Sequence, residues 1–160
     1  MTSQLLTDQE PRAIDAWARL LRSHSAMRRT LSAQLQSEHE LTVTDYEALL
    51  LLSKAEGGRM RRVDLAEELA LTPSGVTRLR DGLEKQELCA KDTCASDARV
   101  TYAVITKKGA KKLKEASCSH VAAIQSLFEE RFTKDELATL AELLARLPGA
   151  SKADGSECTP

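Results

Sequence analysis

Apolar residues recur at spacings of three and four along the first forty positions, which is the period of an amphipathic helix. A helix is predicted from about Pro11 to Glu38, because proline is tolerated in a first turn where its missing N–H has no partner to lose. One continuous stripe on this helix must pack against something, and it comprises Ile14, Trp17, Leu21, His24, Arg28, Leu31 and Leu35. Four successive leucines, 49–52, predict a buried second helix, which begins at a Thr44–Glu47 capping box and stops at Gly57–Gly58.

Two shorter helices are predicted next, after a possible small strand at 59–63. Asp64, with Glu67 three positions later, is the expected cap of the first. Thr72 is the expected N-cap of the second, with Pro73 at its first helical position and its end near residue 86. This second helix has an apolar side of Val76, Leu79 and Leu83 and an opposite side of Ser74, Thr77, Arg78 and Asp81.

The remainder of the chain predicts a hairpin and two further helices. Strand-like runs at 88–92 and 100–105 flank a polar segment, 93–99, that suits a hairpin tip. Thr106 can cap a helix that extends to about Arg131, and a Thr133–Glu136 capping box begins the last helix, which Pro148–Gly149 ends. We expect residues 1–10 to form a flexible arm and 149–160 a disordered tail.

Composition and charge agree with a helical protein whose centre is basic. Apolar residues make up 42% of the 160 and aromatic residues only 3%, which favours a core of Leu, Ala and Val. The net charge is −1, yet residues 59–114 hold 13 Lys/Arg against 8 Asp/Glu, or +5, and the rest hold 10 against 16, or −6. This division is typical of a nucleic-acid-binding module on an acidic scaffold. A solvated lysine-rich helix at 107–114 would explain it equally well, although lysines oppose the dipole at a helix N-terminus and so suggest a nearby phosphate.

The polar side of the 73–86 helix carries side chains suited to reading DNA. Ser74, Thr77 and Arg78 can bond base edges and phosphates in a major groove. Arg99 on the hairpin can enter a minor groove, and Asp97 is expected to brace the hairpin by pairing with an arginine or capping backbone amides. The alternative is an ordinary amphipathic surface helix.

Several function classes are disfavoured by missing motifs. The chain has no P-loop and no GxSxG, HExxH or GxGxxG motif, so we expect no enzyme and no cofactor. No leader peptide and no apolar run of membrane-spanning length is recognised, so a cytoplasmic protein with no membrane partner and with reduced thiols is expected. Cys89 and Cys94 form the only compact ligand grouping and lack a nearby histidine, so no metal site is predicted.

In combination, the central motifs resemble those of the MarR family of winged helix-turn-helix transcriptional regulators. They are Asp64-Leu65-Ala66-Glu67-x-Leu69, Thr72-x-Ser74-Gly75-Val76-Thr77-Arg78-Leu79, Leu83-Glu84, Asp97-x-Arg99 and Ile105-Thr106-x-x-Gly109. The resemblance implies a mainly α fold with a small β-wing. A winged helix-turn-helix DNA-binding domain would span 41–106, between dimerisation helices at 11–40 and 107–148.

The resemblance also implies a homodimeric repressor that binds a pseudo-palindromic, double-stranded DNA operator, with Ser74, Thr77 and Arg78 on the recognition helix and Arg99 on the wing. The chain departs from the family pattern where Gly82 stands in place of a common arginine and Ala98 in place of a basic wing residue. Arg80 is a candidate to compensate from the helix.

Family members commonly release DNA when a small aromatic acid or phenol binds, and others sense oxidants through cysteine. An aromatic wall beside a cation suits a planar anion, which makes Trp17, His24, Arg28 and Tyr46 the candidate effector site. His24 and Arg28 could instead be a satisfied pair at the dimer interface. His39 and His120 are expected to be structural or exposed residues. The alternatives to ligand control are a thiol switch at Cys89, Cys94 or Cys118, and a winged-helix module that binds protein instead of DNA.

Overall fold

Six helices and three short strands follow one another in the computed structural model, which describes residues 11–94, 96–97 and 99–150, apart from the side chain of Pro11. In chain order they are α1 (Pro11–His39), α2 (Val43–Lys54), β1 (Arg59–Arg61), α3 (Arg62–Glu68), α4 (Pro73–Lys85), β2 (Cys89–Thr93), β3 (Thr101–Ile105), α5 (Lys107–Glu129) and α6 (Lys134–Leu144). The mainly helical fold with a small β-wing is thus confirmed. The predicted arm, and the tail from 151 onward, lie outside the described residues.

The three strands form one antiparallel sheet in the order β1-β3-β2. On the central strand β3, Ala103 pairs with Met60 of β1 on one side and with Lys91 of β2 on the other. Tyr102 pairs in the same way with Arg61 of β1 and Asp92 of β2. Successive side chains on a strand alternate between faces. The row that contains buried Ala103 therefore faces the core, and the row that contains Tyr102 faces outward.

A leucine-rich core joins the helices to this sheet, and α2 lies at its centre. Leu49 and Leu52 of α2 are fully buried, while Leu50 and Leu51 are only partly buried. The other large, fully buried side chains come from α1, α3, α4 and the segments beside them, namely Leu35, Leu41, Leu65, Val76, Leu83 and Leu88. The run of four leucines thus predicted a buried helix correctly.

Helix α2 begins two residues before the predicted capping box. Thr42 is its N-cap and accepts from the backbone N–H of Asp45 at 3.1 Å, while the Asp45 carboxylate accepts from the backbone N–H of Thr42 at 2.8 Å. The predicted Thr44–Glu47 box is wrong, because both of those side chains bind Arg28 of α1 instead. The same helix ends at Lys54, and Gly57 and Gly58 form a separate 3₁₀ turn with φ of +66° and +65°.

Helix α3 also begins earlier than the sequence predicted. Its N-cap is Arg61 and no side chain caps it, so the expected cap at Asp64 is wrong. Asp64 lies inside the first turn, where it accepts two hydrogen bonds from Arg61 at 2.7 and 2.9 Å. A carboxylate in the first turn still interacts favourably with the positive end of the helix dipole.

The three remaining predicted caps are confirmed. Thr72 accepts from the Gly75 N–H at 3.1 Å and Thr106 from the Gly109 N–H at 2.9 Å. Thr133 and Glu136 form the reciprocal capping box of α6. The start of α5 also lies against the carbonyl group of Leu88. A Cβ at position 109 would overlap that carbonyl oxygen, so this contact requires glycine.

Large apolar side chains remain uncovered at the two ends of the chain. On α1 they are Ile14, Trp17 and Leu21, and from α5 onward they are Phe132, Leu143, Leu144 and Leu147, with exposed fractions between 36% and 69%. Among the residues that the structure describes, no helix combines the length and the apolar character needed to cross a bilayer.

Candidate nucleic-acid interface

The N-terminal half of α4 presents a polar, solvent-exposed face. Ser74 and Arg78 are exposed, and Thr77 is partly exposed with its hydroxyl donating to the Pro73 carbonyl at 2.9 Å. The Thr72 and Ser74 hydroxyls lie 3.2 Å apart at the start of the helix. Within the described part of the chain, the Arg78 side chain has no hydrogen bond or ion pair, so its guanidinium is available to a partner.

Arg80 occupies a different side of the same helix. Its side chain is only 13% exposed, its Nη2 donates to Asp81 at 2.7 Å, and its buried Nε has no hydrogen-bond acceptor, with a Glu84 oxygen 3.9 Å away. The structure therefore does not bring Arg80 onto the face of Ser74, Thr77 and Arg78. A DNA contact by Arg80 would require the guanidinium to leave Asp81.

The wing positions its arginine through backbone hydrogen bonds. The Asp97 carboxylate accepts from the Arg99 backbone N–H at 2.9 Å, and the Asp97 carbonyl accepts from the Val100 N–H at 3.0 Å. The Arg99 side chain is exposed at the end of this turn. Of the two roles considered for Asp97, this geometry corresponds to capping of backbone amides. Ala98, the departure from the family pattern, lies outside the described residues.

The α5 lysines lie near the other end of α4. Lys108 donates to Glu87 at 2.8 Å, and Glu87 follows the C-terminus of α4. A helix of 13 residues is roughly 20 Å long, so this ion pair is far from the face that carries Ser74. The lysine-rich turn is therefore not placed beside the candidate base-reading residues of its own chain.

The four candidate effector residues do not form one site in the single chain. Trp17 and His24 are exposed on α1, and Trp17 is 59% exposed. Arg28 lies 11 residues after Trp17, which is roughly 16 Å further along α1. Its guanidinium pairs with Glu47 at 2.8 Å. The Tyr46 side chain is buried, and its hydroxyl lies 3.1 Å from the Ser117 hydroxyl of α5.

A buried histidine, His120, accompanies Tyr46. The His120 ring lies 4.5 Å from the Tyr46 ring, its side chain is buried, and its Nδ1 has no hydrogen-bond partner. Burial lowers the pKa of His120, and the nearby Glu47 carboxylate opposes that shift. The spacing of His120 four residues after buried Ala116 could have predicted its burial.

The cysteines differ in burial and in the direction of their pKa shifts. Cys89 is buried at the start of β2, and burial raises its pKa. Cys94 is partly exposed after β2, and hydrogen bonds from the Ser96 hydroxyl and from the Ser96 and Asp97 backbone lower its pKa. Cys118 lies on the exposed side of α5 and is disulfide-bonded, so the expectation of a reduced thiol is wrong for this residue. No three or more His, Cys, Asp or Glu side chains in residues 11–94, 96–97 and 99–150 are grouped to hold a metal ion.

Comparisons with known proteins agree with this geometry. A model of the MarR family matches residues 41–101. AbsC, a MarR family transcriptional regulator from Streptomyces coelicolor, is 31% identical, with 89% of this chain and 93% of that chain covered and a TM-score of 0.74. Sco3205, a MarR family transcriptional regulator from the same organism solved in complex with DNA, is 25% identical, with coverage of 86% and 89% and a TM-score of 0.74. The HTH-type transcriptional repressor MdtR of Bacillus subtilis is 28% identical over 120 residues, which are 75% of this chain and 77% of that protein. The chain therefore belongs to the MarR family of winged-helix transcriptional regulators, which bind DNA and are not enzymes.

Proposed function

We propose that the protein is a homodimeric repressor that binds a pseudo-palindromic operator and is released by a small aromatic acid or phenol. The observation that carries the DNA-reading part is the face formed by Ser74, Thr77 and Arg78 at the N-terminus of α4. Its hydroxyls and free guanidinium are suited to base edges, and the helix N-terminus attracts a phosphate.

In a two-fold dimer, the two α4 helices would enter successive major grooves, roughly 34 Å apart. Arg99 of each wing would then reach a flanking minor groove, where the potential is most negative. The exposed Arg99 side chain and the turn closed by Asp97 support this role.

The uncovered apolar side chains support the homodimer. Trp17 and Leu21 on α1, and Leu143 and Leu147 near the C-terminal end, each leave a large part of their side chains in water. Several large apolar side chains left exposed on one molecule are typical of a protein–protein interface. A second copy could cover both ends at once, because a two-fold interface uses the same surface from each subunit.

The repressor assignment rests on a relative. MdtR of Bacillus subtilis is described as a transcriptional repressor, and it aligns with three quarters of this chain. We propose the same direction of control here.

The effector part rests on Arg28 and its ion pair with Glu47. Arg28 is 37% exposed and pairs with Glu47, so an aromatic carboxylate could take the place of Glu47 on the guanidinium. Trp17, His24 and Tyr46 would contribute to such a site only if the dimer or the ligand draws them together. A thiol switch is the second candidate, and it is favoured by the lowered pKa of the accessible Cys94.

Operator binding by Arg78→Ala tests the DNA-reading assignment. We expect affinity for a duplex selected with the wild-type protein to fall roughly tenfold, the loss typical of one base-contacting arginine. Lys85→Ala removes the same charge from the last turn of α4 and should change affinity less than about twofold. Equal effects of the two substitutions would contradict the assignment, because they would indicate a general loss of charge.

The homodimer is tested by sedimentation of the full chain. Leu143→Glu should give monomers, because it places a charge in the proposed interface. Wild-type protein that remains monomeric at micromolar concentration would contradict the proposal.

A further inference from the structure

One arginine on β1 contacts both other strands of the sheet. The Arg59 guanidinium carbon lies 4.8 Å from the centroid of the Tyr102 ring on β3. Its Nη1 lies 3.4 Å from the Asp92 carboxylate on β2. Two strand spacings separate β1 from β2, roughly 10 Å, so this side chain extends across the whole sheet.

The register explains why Arg59 makes these contacts. Arg59 pairs directly with Val104, whereas Tyr102 and Asp92 belong to the neighbouring outward row, in which Arg61 is their partner. Arg61 is engaged elsewhere, because Asp64 accepts two hydrogen bonds from it at 2.7 and 2.9 Å. The Tyr102 ring and one Asp92 oxygen are therefore left for Arg59. The other Asp92 oxygen accepts from the Thr93 backbone N–H at 2.8 Å, which fixes the carboxylate.

The contact links two parts of the molecule that would meet DNA separately. β1 continues directly into α3, and α3 leads to the recognition helix α4. β2 and β3 are the two sides of the wing, whose outer end carries Arg99. Arg59 is anchored on β1 and contacts both β2 and β3. It therefore limits rotation of the wing relative to α4.

We propose that Arg59 is a positioning residue for DNA binding, which holds the wing at the angle that places Arg99 in the flanking minor groove. The inference rests on the proposed contact between the wing and DNA. It assigns no contact with DNA to Arg59 itself, whose guanidinium is engaged by Tyr102 and Asp92.

The chemistry of the contact separates this role from direct phosphate binding. A planar guanidinium can lie over an aromatic face while it donates to a carboxylate at its edge, and a lysine ammonium cannot do both. Lysine nevertheless keeps the positive charge that a phosphate contact requires. Arg59→Lys therefore removes the proposed role and preserves the competing one.

The experiment measures affinity and footprint on a duplex selected in vitro with the wild-type protein. Arg59→Lys should bind roughly threefold or more weakly, the loss expected for a half-exposed cation–π and ion-pair contact in each subunit. Hydroxyl-radical protection should be lost over the flanking minor grooves and kept over the central region that α4 covers. Wild-type affinity and wild-type protection in Arg59→Lys would overturn the proposal.

Asp92→Asn gives a second test in which the two roles predict opposite signs. Removing a negative charge close to DNA should strengthen binding if electrostatics alone matter. We expect weaker binding, by roughly twofold or more, because the charge-assisted hydrogen bond that holds Arg59 is lost. Tighter binding by Asp92→Asn would overturn the proposal, and unchanged thermal unfolding of both variants would exclude a general loss of stability.

Arg99→Ala distinguishes failure of this inference from failure of the wing contact. If Arg99→Ala removes the flanking protection and Arg59→Lys does not, the positioning role of Arg59 is wrong and the wing contact stands. If Arg99→Ala leaves the flanking protection intact, the wing contact is wrong and the positioning role falls with it.

Discussion

Arg28 Nη1 lies 2.8 Å from Glu47 Oε1, so an ion pair joins the second half of α1 to the beginning of α2. The other terminal nitrogen of Arg28 donates to the Thr44 hydroxyl at 3.1 Å. Both partners of the ion pair are more than a third exposed, at 37% and 39% of the side chain, so a small anion can reach the guanidinium. A carboxylate effector that uses Arg28 must therefore compete with Glu47.

Glu47→Gln should strengthen the binding of a small aromatic carboxylate such as benzoate. The amide cannot neutralise Arg28, so the guanidinium gains an unpaired charge that the ligand can satisfy. We expect roughly fivefold tighter binding in Glu47→Gln and no measurable binding in Arg28→Ala, since a charged hydrogen bond contributes about 1.5–3 kcal/mol. Isothermal titration calorimetry measures the benzoate affinity of each variant.

Glu38→Gln is the matched control for that prediction. It removes a carboxylate from the end of α1, where Glu38 accepts from Gln34, without touching Arg28. Benzoate affinity in Glu38→Gln should equal that of the wild type. The effector site at Arg28 is wrong if Glu47→Gln and Glu38→Gln behave alike.

Two glycines should respond in opposite directions to the same substitution. Gly109→Ala places a Cβ against the Leu88 carbonyl, where the end of α4 meets the start of α5, so it must displace backbone and should destabilise the protein by on the order of 3 kcal/mol. Gly82 lies inside α4, and no atom lies within 4 Å of the position that a Cβ would occupy there. Gly82→Ala should therefore stabilise the protein by about 0.5–1 kcal/mol. Urea unfolding measures both, and equal midpoints would refute the close approach at Gly109.

Hydrogen bonds between residues close in sequence could be predicted, whereas contacts between different helices could not. The caps at Thr72, Thr106 and Thr133 were predicted correctly, because each hydroxyl bonds an amide three residues later. The predicted Thr44–Glu47 box failed because Arg28, 16 and 19 residues earlier, takes both side chains. Spacing along one helix cannot reveal such a competitor on another helix.

In the candidate interface, too, local periodicity could be predicted from the sequence and contacts between elements could not. Helical periodicity placed Ser74, Thr77 and Arg78 on one exposed side of α4, and the structure has them there. The departures from the family pattern at Gly82 and Ala98 suggest Arg80 as a compensating DNA contact. The same periodicity puts position 80 on another side of the helix, where Asp81 binds it. The contact of Arg59 with Tyr102 and Asp92 depends on the strand register, which a three-residue strand does not reveal.

Acid should destabilise the fold through His120. Burial lowers its pKa in the folded protein, so below about pH 6.5 the unfolded chain takes up a proton that the folded protein excludes. The contribution of His120 to the free energy of unfolding is therefore fully present above that pH. It is lost as the pH falls, by at most about 1.4 kcal/mol per pH unit for one proton. Urea unfolding between pH 7 and pH 5 measures the slope.

Substitution of His120 by glutamine should flatten that slope, because the residue no longer titrates. The matched control is His24→Gln, which changes an exposed histidine of α1 and should leave the acid sensitivity as in the wild type. A slope that survives His120→Gln unchanged would assign the acid sensitivity to other groups.

Cys94, which follows the last residue of β2, should be alkylated much faster than Cys89, which begins that strand. The thiolate is the reactive form, and hydrogen bonds from Ser96 and the adjacent backbone lower the pKa of Cys94, whereas burial raises that of Cys89. At pH 8, iodoacetamide should modify Cys94 at least roughly tenfold faster, as measured by mass spectrometry of the wing peptides. Ser96→Ala should slow Cys94, because it removes the hydroxyl 3.1 Å from the sulfur, and leave Cys89 unchanged. Unfolding in urea should bring the two rates together, which makes the folded environment the cause of the difference. Equal rates in the folded protein would remove the physical basis for a thiol switch at the wing.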